Sequence, residues 1–148
     1  MNHTFTIRPL VAADRSQWDQ LWRGYLAFYE THLPDEVSEI TWRRLLDPDA
    51  DIMGFCASQR DGALLGIVHY LFHPVTWSAG PRCYLEDLFT SMESRGKGVG
   101  RALIEAVYAA ADTSGADEVY WLTAETNTTA RRLYDAVATK TPFIKYRR

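Results

Sequence analysis

The chain has 148 residues, 47% hydrophobic and 24% charged, and its formal net charge at pH 7 is −3. These values predict one globular domain over residues 1–148, and the slightly negative charge argues against a general nucleic-acid-binding protein. No apolar run reaches the ~18 residues of a membrane-spanning helix, and the N-terminus lacks the basic and apolar regions of a signal peptide. The two cysteines, Cys56 and Cys83, lack metal-site spacing, which predicts free thiols in a reducing, cytoplasmic compartment.

The N-terminal part predicts an edge strand followed by a long helix. Phe5–Arg8 alternates apolar and polar residues until Pro9 interrupts it. Asp14 is a candidate cap for a helix with an apolar face at helical spacing. That face consists of Trp18, Leu21, Trp22, Tyr25, Leu26 and Tyr29. Core packing is favoured for the two tryptophans, whereas the aromatic residues near the helix end (Tyr25, Phe28 and Tyr29) are candidates for lining a substrate pocket.

Residues 30–51 are predicted to form a loop and a short helix around Thr41–Leu46. This stretch has seven acidic residues and only two basic ones, Arg43 and Arg44. The acidic residues are Glu30, Asp35, Glu36, Glu39, Asp47, Asp49 and Asp51. Such an excess attracts cations, although charge runs of this kind are also typical of an ordinary solvated surface.

The remaining predicted elements are mostly strands. Asp61-Gly62 between two apolar runs is a strong hairpin signal. Asn127 is a plausible helix cap, and Gly115 a plausible helix stop. The predicted strands are 52–60, 63–72, 82–90, 119–123 and 143–146, and the predicted helices are 101–112 and 127–136. The resulting order, β-α-α-β-β-β-α-β-α-β, predicts an α+β sheet protein.

The stretch from Arg95 to Gly100 lies between the strand 82–90 and the helix 101–112, and three of its residues are glycines. Glycine permits positive φ and close approach to the backbone, and a helix N-terminus favours anions. Three basic residues, Arg95, Lys97 and Arg101, add positive charge. The stretch therefore predicts a phosphate-binding cradle, with a glycine-rich turn that binds nothing as the alternative.

Three features together resemble the GCN5-related N-acetyltransferase (GNAT) superfamily. Arg95-x-x-Gly98-x-Gly100 resembles its acyl-CoA pyrophosphate loop, and Asn127 followed by Tyr134 is similar to the second half of its cofactor site. Tyr84–Thr90 resembles a branch with spermidine/spermine and yeast histone/polyamine acetyltransferases. The resemblance implies a three-layer fold, in which helices flank a mixed, mostly antiparallel sheet, and acetyl-CoA as co-substrate without a metal. The implied cofactor-binding residues are Leu88, Phe89, Thr90, Arg95, Gly96, Lys97, Gly98, Val99, Gly100, Arg101, Asn127 and Ala130.

The resemblance also implies the residues that carry the chemistry. Glu86 matches a glutamate of the acceptor site, which implies amine binding and removal of a proton, with Asp87 as a less certain partner. Adjacent strand residues point to opposite faces, so only one of the two should face a cleft. The alternative is that each forms an ion pair within the sheet. Tyr29 and Glu30 are further candidate substrate contacts.

Tyr134 matches the tyrosine that donates a proton to the CoA sulfur, and a phenol can donate at neutral pH. Core packing is its alternative role. His69 and His73 are four residues apart on a strand and the following loop, and a metal site there is improbable.

The leading hypothesis is an N-acetyltransferase that transfers the acetyl group of acetyl-CoA to a small cationic amine, polyamine or lysine-like, by direct attack in a ternary complex. The alternatives are a protein or peptide lysine acetyltransferase and a catalytically silent acyl-CoA-binding module. The chain lacks the Gly-Phe that many members carry after the tyrosine helix. By resemblance to the yeast members, its last strand (143–146) is a candidate for pairing across a homodimer. Neither a nucleic acid nor a membrane is expected as a partner.

Overall fold

The computed structural model describes residues 4–148. The first three residues, part of the N-terminus that is predicted to carry no signal peptide, lie outside this range. Within it, five strands and four helices alternate with two short 3-10 turns, Ala12–Asp14 and Met92–Ser94. The elements are β1 (Phe5–Pro9), α1 (Arg15–Phe28), α2 (Asp35–Leu46), β2 (Ile52–Gln59), β3 (Leu64–His73), β4 (Arg82–Thr90), α3 (Val99–Thr113), β5 (Val119–Tyr120) and α4 (Thr128–Val137).

The strands form one sheet in the order β1-β2-β3-β4-β5. All neighbours are antiparallel except β4 and β5, which are parallel. Trp18, Trp22 and Trp42 from α1 and α2 pack on one side of the sheet, here called the α1 face. Leu103 and Val107 of α3 pack on the other side, the α3 face. The predicted three-layer α+β architecture is thereby confirmed.

The alternation of side chains along the strands builds both cores. On β3, Ile67 belongs to the cluster on the α1 face, and its neighbour Val68 belongs to the cluster on the α3 face. The two cysteines divide in the same way: Cys56 lies on the α1 face and Cys83 on the α3 face. Both side chains are fully buried as free thiols.

Asp14 occupies the N-cap position of α1, but its side chain makes no capping hydrogen bond. The carboxylate instead accepts hydrogen bonds from both terminal nitrogens of the Arg8 guanidinium, at 2.8 and 2.9 Å, and from the backbone N–H of Val11 at 2.8 Å. The predicted side-chain cap is therefore wrong. A bidentate arginine offers the carboxylate a stronger interaction than the first turn of the helix does.

Three predicted boundaries also differ from the structure. The second helix begins at Asp35 rather than near Thr41, and Asp35 and Glu36 lie in its first turn, where acidic residues are favoured. β5 ends at Tyr120 rather than at residue 123. No strand forms over 143–146 within the described part of the chain. Across residues 4–148, no helix combines the length and the apolarity that crossing a bilayer requires.

Candidate functional site

The glycine-rich stretch is an open cradle at the start of α3. Gly96 and Gly98 have φ angles of +78° and +81°, and no heavy atom lies within 4 Å of where a Cβ would project from either residue. Gly98 is the N-cap of α3. The first-turn N–H groups, from Val99 to Arg101, have no intrahelical acceptor, as in any helix. The loop therefore offers donors, a helix dipole and free space to an anion such as a diphosphate.

The basic residues beside this cradle have their charges available. Arg95, Lys97 and Arg101 are exposed, and none of them forms an ion pair with any of residues 4–148. The base of the loop is fixed by Ser94, which is 1% exposed and donates to the Leu65 carbonyl at 3.0 Å. Ser94 carries no motif signal of its own, and only the structure identifies it as the anchor.

β4 and β5 part just before the cradle. Their register has only two pairs, Cys83 with Val119 and Tyr84 with Tyr120. The following residues of β4, including Leu88–Thr90, pair only with β3. The opposite side of this backbone has no strand partner within residues 4–148. The two strands therefore diverge beyond Tyr84 and Tyr120 and leave a V-shaped opening between β4 and β5.

The helix α4 closes the far side of this opening. Asn127 is its N-cap residue, but the side chain makes no capping bond and instead donates from Nδ2 to Thr123 Oγ1 at 3.3 Å. Ala130 and Tyr134 lie one turn apart on the same side of α4. Leu133 packs against α3, since a Cβ at Gly100 would lie 3.2 Å from its Cδ2. α4 therefore lies beside the start of α3, where the glycine-rich cradle is.

Tyr134 is partly buried, and its ring packs edge-on against Trp121 at a centroid distance of 5.4 Å. Its hydroxyl makes no hydrogen bond with any other residue in the range 4–148. Every fully buried polar side-chain atom in that range has a hydrogen-bond partner, so the Tyr134 hydroxyl is not one of the fully buried atoms. The hydroxyl therefore retains contact with solvent. Burial, with a smaller contribution from nearby Tyr29, raises the pKa of Tyr134 to about 12. The side chain is a protonated donor at neutral pH.

Glu86 and Asp87 both face the α1 side of the sheet. Asp87 pairs with His69 and Leu85 with Tyr70, so Glu86 is the extra residue of a β-bulge. Leu85 lies in the core on the α3 face, so Glu86 alternates to the α1 face, and the bulge keeps Asp87 on that face too. The prediction that the two carboxylates point to opposite faces is wrong, because a bulge breaks the period of two.

The end of α1 lies above these carboxylates. Tyr25 is close to Asp87, and burial followed by the charge of Asp87 raises the pKa of Tyr25. The rings of Tyr25 and Tyr29 are 5.0 Å apart, and Tyr29 is near enough to Tyr134 to affect its pKa. We name the group of Tyr25, Tyr29, Glu86, Asp87 and Tyr134 the carboxylate pocket. It joins both faces of the sheet where β4 and β5 part.

The electrostatics of the pocket differ from those of the surface. The Glu86 side chain is exposed, yet partial desolvation, followed by the negative charge of Asp87, raises its pKa above the usual range, while His69 and Lys145 act in the opposite direction. Glu30 stands outside this group: it follows the end of α1 at φ +51° and forms no ion pair within residues 4–148. The raised pKa makes Glu86 a candidate for proton exchange with a substrate.

The acidic stretch lines a different part of the molecule. Asp35, Glu36 and Glu39 border a groove of about 760 Å³ between α1 and α2, and no residue of the carboxylate pocket lines it. Glu39 is partly neutralised, since its carboxylate bonds Arg15 at 2.6 Å and Arg43 at 3.2 Å. The structure does not join this acidic excess to the two carboxylates of β4.

A buried row of polar side chains was missed by sequence reasoning. Trp18 Nε1 donates to His69 Nε2 at 3.0 Å, and His69 Nδ1 bonds Asp87 Oδ2 at 2.9 Å. A polar residue within the apolar run of β3 was the available signal. His73 points elsewhere, with Nε2 bonded to the Tyr120 hydroxyl at 2.8 Å. Within the described chain, no three His, Cys, Asp or Glu residues are grouped as metal ligands would be.

Comparison with known proteins identifies similar sequences. A family model described as the acetyltransferase (GNAT) family matches residues 16–137. The D-amino-acid N-acetyltransferase HPA3 of Saccharomyces cerevisiae is 37% identical, over 100% of this chain and 92% of that protein. The mycothiol acetyltransferase of Thermobispora bispora is 35% identical over 77% of this chain, but the match spans only 41% of that protein.

Solved structures share the fold at lower identity. The ribosomal-protein-alanine N-acetyltransferase of Brucella melitensis biovar Abortus 2308 gives a TM-score of 0.80 at 22% identity, with 97% of each chain covered. The aminoglycoside N-acetyltransferase AAC(6')-Iy in complex with CoA gives 0.79 at 23% identity, covering 100% of this chain and 96% of that one.

Proposed function

Since this chain belongs to the acetyltransferase (GNAT) family and is an acetyl-CoA-dependent N-acetyltransferase, we propose that its acceptor is a small cationic amine. Polyamines and lysine-like compounds are the class that the carboxylate pocket fits best. The supporting observation is the β4 bulge, which brings Glu86 and Asp87 to one face beside Tyr25 and Tyr29. Carboxylates and aromatic faces are the groups that hold ammonium ions in proteins.

The cradle fits the diphosphate of CoA. The left-handed backbone at Gly96 and Gly98 and the empty space above them favour close approach of phosphate oxygens. The unpaired Arg95, Lys97 and Arg101 supply positive charge. In this proposal Leu88–Thr90 bind the acyl-bearing arm through backbone N–H groups that stabilise the developing oxyanion, and one such donor is worth about 3 kcal/mol. Asn127 and Ala130 line the opposite side of the same arm.

Two side chains handle the protons. Glu86 binds the substrate ammonium and accepts its proton, directly or through water, so that the neutral nitrogen attacks the thioester carbonyl carbon. The carbon–sulfur bond breaks as the carbon–nitrogen bond forms, and Tyr134 gives its proton to the departing sulfur. The amide nitrogen loses its remaining extra proton to solvent, from which the Tyr134 phenolate is reprotonated, and Glu86 releases the first proton to solvent when the products leave. The direction of the Glu86 shift suits a base, because a raised pKa increases the affinity of the carboxylate for the ammonium proton. Tyr134 is protonated at neutral pH and therefore has a proton to give.

Free amino acids are the second candidate class, because the yeast relative is named as an acetyltransferase of D-amino acids. An amino acid brings a carboxylate as well as an ammonium group, so its site needs a cation beside the carboxylate pair. Lys145 is close enough to Glu86 to lower its pKa, and it supplies such a charge. A lysine of a protein or peptide is a third candidate acceptor, and no feature of the carboxylate pocket specifically favours it.

We also propose a cytoplasmic homodimer that forms through the C-terminal segment. After α4, the apolar side chains of Phe143, Ile144 and Tyr146 are 84%, 75% and 90% exposed. An exposed apolar segment beside a two-residue edge strand is suited to strand addition by a second copy. Light scattering should report a dimer, and truncation after Lys140 should yield a monomer. A wild-type monomer would exclude the dimer.

The deciding experiment measures CoA-thiol release from acetyl-CoA with a panel of amines. The panel contains spermidine, spermine, short diamines, lysine analogues, D- and L-amino acids and a lysine-bearing peptide, with Tyr134→Phe as control. Release that requires a polyamine or lysine analogue supports the proposal. Release with D-amino acids alone, together with a higher amine KM in Lys145→Ala, would transfer the function to amino acids. Release with the peptide alone would contradict both.

A further inference from the structure

His69 is the one polar side chain in the buried centre of β3, and it is 0% exposed. Its ring packs between two indoles of α1, with centroid distances of 6.0 Å to Trp18 and 5.4 Å to Trp22. Both ring nitrogens have partners: Trp18 Nε1 at 3.0 Å from Nε2, and Asp87 Oδ2 at 2.9 Å from Nδ1. The side chain therefore connects the core of the α1 face directly to the carboxylate pocket.

The partner on Nε2 determines which nitrogen of His69 carries the proton. An indole nitrogen only donates, so Nε2 of His69 must accept and cannot hold a proton. In a neutral imidazole the proton is then on Nδ1, from which it is donated to Asp87 Oδ2. Trp18 thus fixes the tautomer of His69, and the tautomer in turn fixes the role of Asp87 as an acceptor.

The second oxygen of Asp87 remains for the pocket. One oxygen is held by the buried imidazole, so rotation of the carboxylate breaks a hydrogen bond inside the protein. The remaining lone pairs of the carboxylate lie near the Tyr25 hydroxyl, which interacts with Asp87, and beside Glu86. Fixing a carboxylate before its ligand arrives reduces the ordering cost of binding.

We propose that Trp18 and His69 are positioning residues that hold Asp87 in the orientation in which it binds the ammonium group of the acceptor amine. This role rests on the proposed function, in which Glu86 and Asp87 form the amine site. Trp18 and His69 do not touch the substrate. Their contribution is to the affinity for the amine, whereas the CoA cradle is independent of them.

Trp18→Phe tests the proposal, because it retains an aromatic ring and removes the donor to Nε2, together with part of the ring volume. We expect the amine KM to rise about three- to tenfold, the net value of one hydrogen bond, while the acetyl-CoA KM stays within about twofold. Trp22→Phe is the matched control. It lies one turn away, is 6% exposed and donates its indole N–H to Ser38 at 3.0 Å. It should leave the amine KM within about twofold.

Nitrogen NMR of labelled histidine measures which ring nitrogen of His69 carries the proton, and a change in packing alone does not alter this property. In the wild type, the His69 signals should show a proton on Nδ1 and none on Nε2. In Trp18→Phe the Nε2 signal should move, because the hydrogen bond that this nitrogen accepts is gone, and in Trp22→Phe it should keep its wild-type position. A proton on Nε2 in the wild type would overturn the proposal, as would equal increases of the amine KM in the two phenylalanine variants.

Variants at the other two positions separate this proposal from the proposed function. His69→Asn retains a donor toward Asp87 and should keep a lower amine KM than His69→Leu, which has none. If Asp87→Ala leaves the amine KM unchanged, the amine site itself is wrong. If Asp87→Ala raises it and neither Trp18→Phe nor His69→Leu does, only the positioning role is wrong. In an Asp87→Ala background, Trp18→Phe should have no further effect on the amine KM.

Discussion

Glu86 and Asp87 are adjacent in the chain and yet share one face of the sheet, because Glu86 is the unpaired residue of a bulge in β4. Two carboxylates held together cannot ionise independently. The charge of Asp87, added to partial desolvation, raises the pKa of Glu86. This relationship makes the pH dependence of the reaction a test of the site.

We predict that Asp87→Asn moves the acidic limb of kcat/KM to lower pH. Glu86 must be ionised to bind the ammonium and take its proton, so activity rises as the pH passes the Glu86 pKa. Removal of the neighbouring negative charge lowers that pKa, so the acidic limb of the profile moves to lower pH. The measurement is a pH profile at saturating acetyl-CoA. Asp117→Asn, which removes a carboxylate paired with Arg82 at 2.8 Å, is the control and should leave the limb in place.

Glu86→Gln should lower kcat by roughly 10²-fold or more, the usual contribution of a positioned base, and should remove the acidic limb altogether. Glutamine keeps the shape of the side chain and loses its ability to take a proton. Steady-state kinetics with the best amine of the panel measures both effects. An unchanged limb in this variant would show that another group is responsible for it.

Tyr134→Phe should reduce kcat by roughly 10²-fold because the leaving sulfur loses its proton donor. The acetyl-CoA KM should stay within about twofold, since the ring and its contact with Trp121 are retained. Tyr108→Phe is a suitable control: that hydroxyl donates to the Val137 carbonyl at 2.9 Å, outside the carboxylate pocket. It should cost about 1 kcal/mol of stability and leave kcat unchanged. Full activity in Tyr134→Phe would refute the assignment.

Gly98→Ala should raise the acetyl-CoA KM roughly tenfold, the equivalent of ~1.4 kcal/mol. The new methyl group enters the open space of the cradle, and the left-handed backbone at φ +81° is strained by about 1 kcal/mol. Gly62→Ala is the matched control, since Gly62 has φ +90° and equally open surroundings in the β2–β3 hairpin. Urea unfolding should show similar destabilisation in both variants, whereas only Gly98→Ala should alter the KM.

Glu30→Gly should stabilise the protein by roughly 0.5–1 kcal/mol. Glu30 ends α1 in a left-handed conformation, with its N–H bonded to the Ala27 carbonyl and the next N–H bonded to Leu26. Glycine adopts this conformation without strain. Glu30→Ala removes the same carboxylate and keeps the strain, so a rise in amine KM common to both variants would show that Glu30 contacts the substrate. A gain in stability in Glu30→Ala as well would contradict the claim that the left-handed backbone at Glu30 is strained.

The cradle could be predicted from the sequence because its backbone restricts residue choice. A left-handed N-cap and the loop before it favour glycine, so Gly96 and Gly98 directly reflect the conformation. Gly100 lies within α3, where a Cβ would crowd Leu133. The faces of α1 and α3 were predictable for a similar reason, since burial at a period of 3.6 residues selects apolar side chains. Each of these features is local in the chain.

The bulge at Glu86 and the tautomer of His69 could not be predicted in this way. In a bulge, one extra residue of any type reverses the face to which the following side chains point, and the position of the bulge depends on the partner strand. The hydrogen bond from Trp18 to His69 joins residues 51 positions apart. The start of α2 differs from the prediction for another reason: Pro34 is its N-cap residue, and proline commonly stands at the beginning of a helix.

The buried cysteines on the two faces of the sheet have a practical consequence for assays. Burial raises the pKa of Cys56 and of Cys83 to about 11, so the folded protein presents almost no thiolate to a disulfide reagent at neutral pH. A thiol-reactive dye added to the reaction therefore counts released CoA with almost no background from the enzyme. In denaturant the rate at which the same dye reacts measures how fast each side of the sheet unfolds. Cys56 reports on the α1 face and Cys83 on the α3 face.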